Sequence, residues 1–359
     1  MSHLERRYQR LLFTYPRAYR RSRGEEMVGL LMDAAPPGRT RPTLREAANL
    51  VRHGLRARLG RPASRTVVVW AALTATICGL FGAAVATRLA WETARPMPDR
   101  AETAAILAEV APEHRFTDIQ VAPALFTFYS QRVRLENLNH IVFPDGGEYS
   151  QATGTANATG APPMPAAAAV TRAEARLRHA GWRIHPRSAD AYESCTDKMC
   201  AAMARITMTT VTAGRGDTVL TATFTEPRVD AAAPYLSVGL QRTPPPAVLP
   251  AGVAGGLLGA ALAWLLFGWA SRRTEGRVGP VLCLAATLFF WWAPSAVALP
   301  SMVDHHLDEP HPIPHPFWEW LALPALSVFF LAGVATALLG LALAAARSGA
   351  GAPAIRRVG

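Results

Sequence analysis

The stretch TVVVWAALTATICGLFGAAVAT, Thr66–Thr87, runs for 22 residues without a charge. At a helical rise of about 1.5 Å per residue it is long enough to cross a hydrocarbon layer about 30 Å thick. It is expected to be a membrane span, 66–87, and the rest of the chain is placed around it. Arg65 closes its polar side abruptly, so it reads as an uncleaved anchor and not as a removed leader.

Three more uncharged apolar segments have spanning length: 248–270, 279–299 and 321–346. Arginine and lysine in short flanks are held on the cytoplasmic side of a membrane. Residues 1–65 carry a net +10, the loop 271–278 carries +2 and the tail 347–359 carries +3, whereas 88–247 is neutral and 300–320 is −4. The expectation is a four-span α-helical protein of the plasma membrane with both termini cytoplasmic. It would have a cytoplasmic helical module over 1–62 and an extracytoplasmic α+β domain over 88–247. The sequence pI near 10.3 then belongs to span flanks that meet anionic lipid, and no nucleic-acid partner is expected.

In the first 62 residues, Leu4, Tyr8, Leu11, Leu12 and Tyr15 form a helical stripe that Pro16 ends. A second helix is expected from about Ala18 to Ala35, burying Tyr19, Met27, Leu30, Leu31 and Ala34 before Pro36-Pro37-Gly38. A third opens at Thr43, where T-L-R-E is a capping box, with Leu44, Ala47, Ala48, Val51, Leu55 and Leu59 on one face. The run Leu11-Leu12-Phe13-Thr14-Tyr15-Pro16-Arg17-Ala18-Tyr19-Arg20, with Gly24-Glu25-Glu26-Met27 and Leu30-Leu31-Met32-Asp33, resembles the permease prefix segment and the related helical signalling domain associated with helix-turn-helix regulators. The resemblance covers residues 1–60. It implies a docking or signalling module without catalytic residues, and makes Tyr15, Pro16, Tyr19, Arg20, Glu26 and Met27 the candidate surface for a cytoplasmic regulator or an ATPase. Plain helix packing around an aromatic–proline break explains the same positions.

Beyond the first span, a helix is expected over 101–110 and strand over Ile119–Tyr129. Residues 146–169, GGEYSQATGTANATGAPPMPAAAA, are small and polar without a periodic apolar face, and read as a linker. Thr171 opens a second T-x-x-E box, Gly181 stops that helix, and strands follow at Trp182–His185, Ala204–Ala213, Thr218–Thr225 and Tyr235–Thr243. Gly214-Arg215-Gly216-Asp217 is what a tight hairpin requires, so its match to an adhesion tripeptide carries little. The sequon Asn157-Ala158-Thr159 is read as chance.

Cys195 and Cys200 fall on the outer side and are expected to pair as a disulfide, with a metal or redox pair as the alternative. Asp304, His305, His306, Asp308, His311 and His315 crowd the loop 300–320 with ligands suited to a divalent transition metal, though prolines and an outer location also explain a solvated acidic loop. No cofactor is otherwise expected. Lys198 is the only lysine, so the P-loop, the kinase lysine and a pyridoxal site are excluded; His-Glu-x-x-His and Gly-x-Ser-x-Gly are missing as well. The span cores hold no ionisable Asp, Glu, Arg, Lys or His, which disfavours channels and proton-coupled transport.

Gly252, Gly255, Gly256 and Gly259 lie at four-residue spacings in the second span, with Gly79 and Ala83 as a shorter small face on the first. Close packing is expected there, within the bundle or across a homo-oligomer. The leading reading is a non-enzymatic membrane protein that links an outer sensing domain to a cytoplasmic docking module. The alternatives are a permease-type subunit resembling FtsX or MacB proteins, against which the short 271–278 loop counts, and an outer-face metal-binding protein.

Overall fold

The computed structural model describes residues 2–61, 63–116, 119–128, 131–132, 149–159, 164–195, 203–226, 234–308, 318, 321 and 327–346. The chain packs as two compact units. One takes Met1–Ala83, Ala254–Ala296 and Phe329–Gly359; the other takes Ala84–Val253 and Val297–Val328.

The first unit opens with α1 (His3–Leu11), a 3-10 turn (Leu12–Thr14), α2 (Arg17–Asp33) and α3 (Leu44–Arg58). Ser2 and Thr43 head α1 and α3 with complete capping boxes, in which Glu5 and Glu46 return the bond to the cap backbone. Leu4, Tyr8, Leu12, Tyr15, Val28 and Leu50 form the core of this module. The Tyr8 hydroxyl donates to Glu46, which Arg39 also pairs at 2.8 Å. The expected stripe on α1 holds. On α2 and α3 the expected burial shifts: Tyr19, Leu30 and Leu44 are exposed while Val28 and Leu50 are inside. Both elements are rich in apolar positions on several sides, so periodicity alone left the phase of the inner face open.

Four helices are long and apolar enough to cross a membrane. They are α4 (Arg65–Ala90), α7 (Val248–Arg273), α8 (Val278–Asp308) and α9 (Ser327–Ala345), with α5 (Arg100–Val110) and α6 (Ala166–His179) lying between the first two in sequence. Helix α8 continues well past Leu299, through half of the segment read as an outer loop. Pro300 and the acidic residues mark where apolar sequence stops, which is not where helical hydrogen bonds must stop.

The second unit is built on an antiparallel sheet of eight strands: β1 (Gln120–Phe128), β2 (Gln131–Arg132), β3 (Tyr149–Thr159), β4 (Arg183–Ile184), β5 (Ser188–Cys195), β6 (Met203–Arg215), β7 (Thr218–Thr225) and β8 (Pro234–Arg242). Their order is β2-β1-β3-β8-β7-β6-β4, with β5 also on β6. Leu220, Ala222 and Phe224 on β7, and Leu236, Val238 and Leu240 on β8, alternate inward and join Leu107 and Val110 of α5 and Val170 and Leu177 of α6 in one core. Each large side chain fully buried there contributes roughly 1.5–3 kcal/mol.

The segment 146–169 is not a linker. Its centre is β3, paired to β1 on one side and β8 on the other. Gly154, Ala156 and Ala158 are buried while Thr155 and Asn157 are partly exposed. The period-two signal is present, but written in residues too small to register as an apolar face. Helix α6 also begins earlier than its T-x-x-E motif. Pro165 is its N-cap, and Thr171 lies inside it with Oγ1 donating to the Ala167 carbonyl at 2.9 Å. Gly181, at φ +81°, provides the expected stop.

Candidate functional site

Helix α1 and its 3-10 turn leave carbonyls without helical partners, because Pro16 brings no N–H and breaks the run. Arg58, at the end of α3, collects them. Its Nε donates to the Thr14 carbonyl at 2.6 Å and its Nη2 to Phe13 and Tyr15 at 2.7 and 3.4 Å. Gly54 lets the turn lie flat on α3, since a Cβ there would meet Tyr15 Cδ2 at 2.8 Å as well as the Thr14 side chain. Burial, then the nearby Arg20 and Arg272, lowers the Arg58 pKa, and an arginine so perturbed still carries its charge at neutral pH.

The same residue ties this module to α7. The Arg58 carbonyl accepts from Arg272 Nη1, Trp264 Nε1 donates to the Leu55 carbonyl at 3.1 Å, and Arg61 Nη2 donates to Ser271 at 3.2 Å. A Cβ at Gly268 would stand 2.7 Å from the Arg58 carbonyl oxygen. Four residues of α7, Trp264, Gly268, Ser271 and Arg272, therefore receive the end of α3 and the residues just after it.

Helix α7 meets α4 along glycine. A Cβ at Gly82 would lie 2.5 Å from the Gly255 carbonyl oxygen, and one at Gly259 would lie 2.6 Å from that of Cys78. Gly256 is looser, 3.4 Å from both Ala83 Cβ and the Gly79 oxygen. Gly252 seats a different residue, the Trp318 ring, which a Cβ would meet at 2.5 Å; Trp318 Nε1 donates to Thr87 Oγ1 at 2.9 Å. Trp318 is buried there. Gly82, overlooked in the sequence, makes one of the two closest approaches.

Further along, α4 borders a cavity of about 420 Å³ that α7, α8 and α9 also line. Val67, Trp70, Cys78, Leu284, Trp291 and Ala337 line it, with Arg61 and Ser271 at one end. Phe81, Trp291 and Phe330 form an aromatic cluster at the other end, with centroids 5.4 Å apart for Phe81–Trp291 and 4.8 Å for Phe81–Phe330. Three hydroxyls deep in the wall are spent. Thr74, Thr287 and Thr336 each bond a carbonyl of their own helix, and Thr287 and Thr336 also bond one another at 2.9 Å.

The sheet unit has its own polar clamp. Asp217, in the β6–β7 turn, pairs with Arg242 at 2.9 Å and with Arg95 at 2.7 Å, while Arg242 Nη2 donates to the Pro96 carbonyl. Arg215 pairs with Glu109 at 3.0 Å and stacks over the Trp182 ring. Both charges of the Arg-Gly-Asp tripeptide are thus paired with side chains of the same unit, and Gly216, at φ +61°, serves the turn. No family model, no curated protein and no solved structure matches the chain.

Of the residues singled out for a cytoplasmic partner, Tyr15 is in the core, stacked on Tyr19 at 5.3 Å, and Met27 packs against that core. Pro16 is the N-cap of α2. Tyr19 is exposed, Arg20 lies over the Phe13 ring at 4.5 Å, and Glu26 pairs with Arg23 at the surface. Phe13, 61% exposed, belongs with them and was passed over because it breaks the helical stripe.

Cys195 ends β5, while Cys200 lies outside the described residues, so the disulfide is not placed. Asp304, His305, His306 and Asp308 fall on the last turns of α8; His311 and His315 lie outside the described residues. Among the described residues no three His, Cys, Asp or Glu side chains gather as metal ligands.

Proposed function

We propose that this is a multi-pass membrane protein without enzymatic activity, in which the sheet unit faces outward and senses, and the N-terminal helices face the cytoplasm and dock a partner. The observation that carries the reading is the Arg58 junction. One guanidinium holds the turn that precedes α2, while the carbonyl of the same residue is held by α7. Helix α7 starts five residues after β8 and is one unbroken helix down to Arg273. A shift or rotation of α7 therefore acts directly on the turn that presents Phe13, Tyr19 and Arg20. Charge favours the orientation, because Arg272, Arg273 and Arg277 sit at the α7–α8 connection.

The permease-type alternative is less well supported. The connection between α7 and α8 is only Thr274–Arg277, with Gly276 at φ +71°, which leaves no room for a coupling helix.

The test uses the full-length chain in its own cells. Single cysteines replacing Arg41 and Arg273 should resist an impermeant thiol reagent, and one replacing the exposed Arg187 should react. A photo-cross-linker at Tyr19 should then capture a transcription regulator in the parent and lose it in Arg58→Met. Labelling at position 41 in intact cells would end the topology, and capture of an ATP-hydrolysing subunit instead would transfer the chain to the permease class.

A further inference from the structure

We infer that the cavity lined by α4, α7, α8 and α9 is a binding site for an acyl chain of an anionic membrane lipid, with the acidic head group held by Arg61. The inference rests on the membrane reading above and adds to it a ligand class.

Shape comes first. Along α4 the wall runs from Thr66 to Cys78, and along α8 from Pro280 to Trp291. At helical rise these are about 18 and 17 Å, close to one leaflet of a hydrocarbon core about 30 Å thick. The volume of about 420 Å³ lies in the range of ligand pockets. An elongated apolar cavity of that length suits a hydrocarbon chain.

Chemistry selects the same occupant. Thr74, Thr287 and Thr336 have already bonded their own helices, so the interior asks nothing of a ligand but apolar surface. At the open polar end, Arg61 Nε is buried without a hydrogen-bond partner, and its contact with the exposed Glu275 carboxylate is long, 3.5 Å. A buried guanidinium donor left unmade is costly, and an oxyanion is its natural partner. A phosphate at that place would displace Glu275. Because Arg61 Nη2 also holds Ser271 on α7, lipid occupancy would bear on the junction that positions the N-terminal helices.

The test is lipid counting by native mass spectrometry on the full-length chain, released from nanodiscs of equal phosphatidylglycerol and phosphatidylcholine. The parent is expected to retain one phosphatidylglycerol, several-fold in preference to phosphatidylcholine. Ala337→Phe and Leu284→Phe, on two of the lining helices, should each lose it, and Arg61→Gln should retain a lipid but lose the head-group preference. Retention at parental level in both wall variants, an unchanged preference in Arg61→Gln, or a dimer that carries no lipid overturns the site. If the wall variants do not fold, the head-group ratio of Arg61→Gln decides alone. A chain that never partitions into membranes sinks the membrane reading itself, whereas a membrane-bound chain without retained lipid sinks only this inference.

Discussion

Helix α4 has two faces built by opposite rules. Toward α7 its backbone comes so close that no Cβ fits at Gly82, and the surfaces meet carbonyl against glycine. Toward α8 and α9 it borders a cavity walled by large side chains, Trp70 and Trp291 among them. Helices in hydrocarbon gain little from apolar burial against each other, so contact must come from close approach of backbones. The glycine seam supplies it. The other face packs through the contacts of Phe81 with Trp291 and Phe330 and elsewhere borders the cavity.

The contrast is broken most directly at Gly82. Gly82→Leu should cost about 3 kcal/mol or more through overpacking, since the obstructing atoms are backbone and cannot rotate away. Thermal melting of the purified chain reads it, and Gly256→Ala, with its nearest neighbours at 3.4 Å, should melt close to the parent. If Gly256→Ala proves the worse of the two, the seam has been placed on the wrong residues.

Next in size is Arg58→Met. It strands three carbonyls, each bond to a charged donor being worth about 1.5–3 kcal/mol. Faster amide exchange across residues 2–59 should report the loosening, with the seam unaffected. Lysine should restore little, because a point charge cannot replace the planar fork. Asp217→Ala comes third: it leaves the buried Arg242 without its carboxylate and should cost about 2 kcal/mol, read as protease cleavage near Pro96.

The sheet unit also gives a pH signature. His114 is stacked on Tyr235 at 5.2 Å, and both imidazole nitrogens are buried without partners. Burial pushes its pKa down, with Glu113 opposing and Arg176 assisting. A folded pKa below the unfolded value of about 6.5 means stability is complete above that pH and is lost as pH falls below it. The parent should therefore melt earlier at pH 5.5 than at pH 7.5, and His114→Phe should flatten that slope. The smallest effect is expected at the cavity wall. Ala337→Leu should be neutral or stabilise by at most about 1 kcal/mol, the opposite sign to one added methyl at Gly82.

What the sequence disclosed follows from how loudly each interaction is written. The four apolar helices, both N-terminal breaks and the β6–β7 hairpin rest on length, proline and glycine, which act locally. The glycine face of α7 was legible from spacing, yet its partner Gly82 was not, because proximity is a property of two helices. Strand β3 was missed since Gly154, Ala156 and Ala158 alternate without apolar bulk. Arg58 and Arg61 were invisible among 15 arginines in the first 65 residues; only the fold selects the two whose donors face carbonyls or a cavity. Thr171 misled, because a T-x-x-E motif inside a helix looks like one at its start.

The turn Thr274–Arg277 is closed by the Arg277 N–H donating to the Thr274 carbonyl at 3.1 Å. With so few residues between them, α7 and α8 fold back on one another as a single hairpin with three arginines at its tip. On the membrane reading proposed above, that hairpin enters the bilayer as one unit and the arginines act as a single address label, so removing those charges should misorient two helices together.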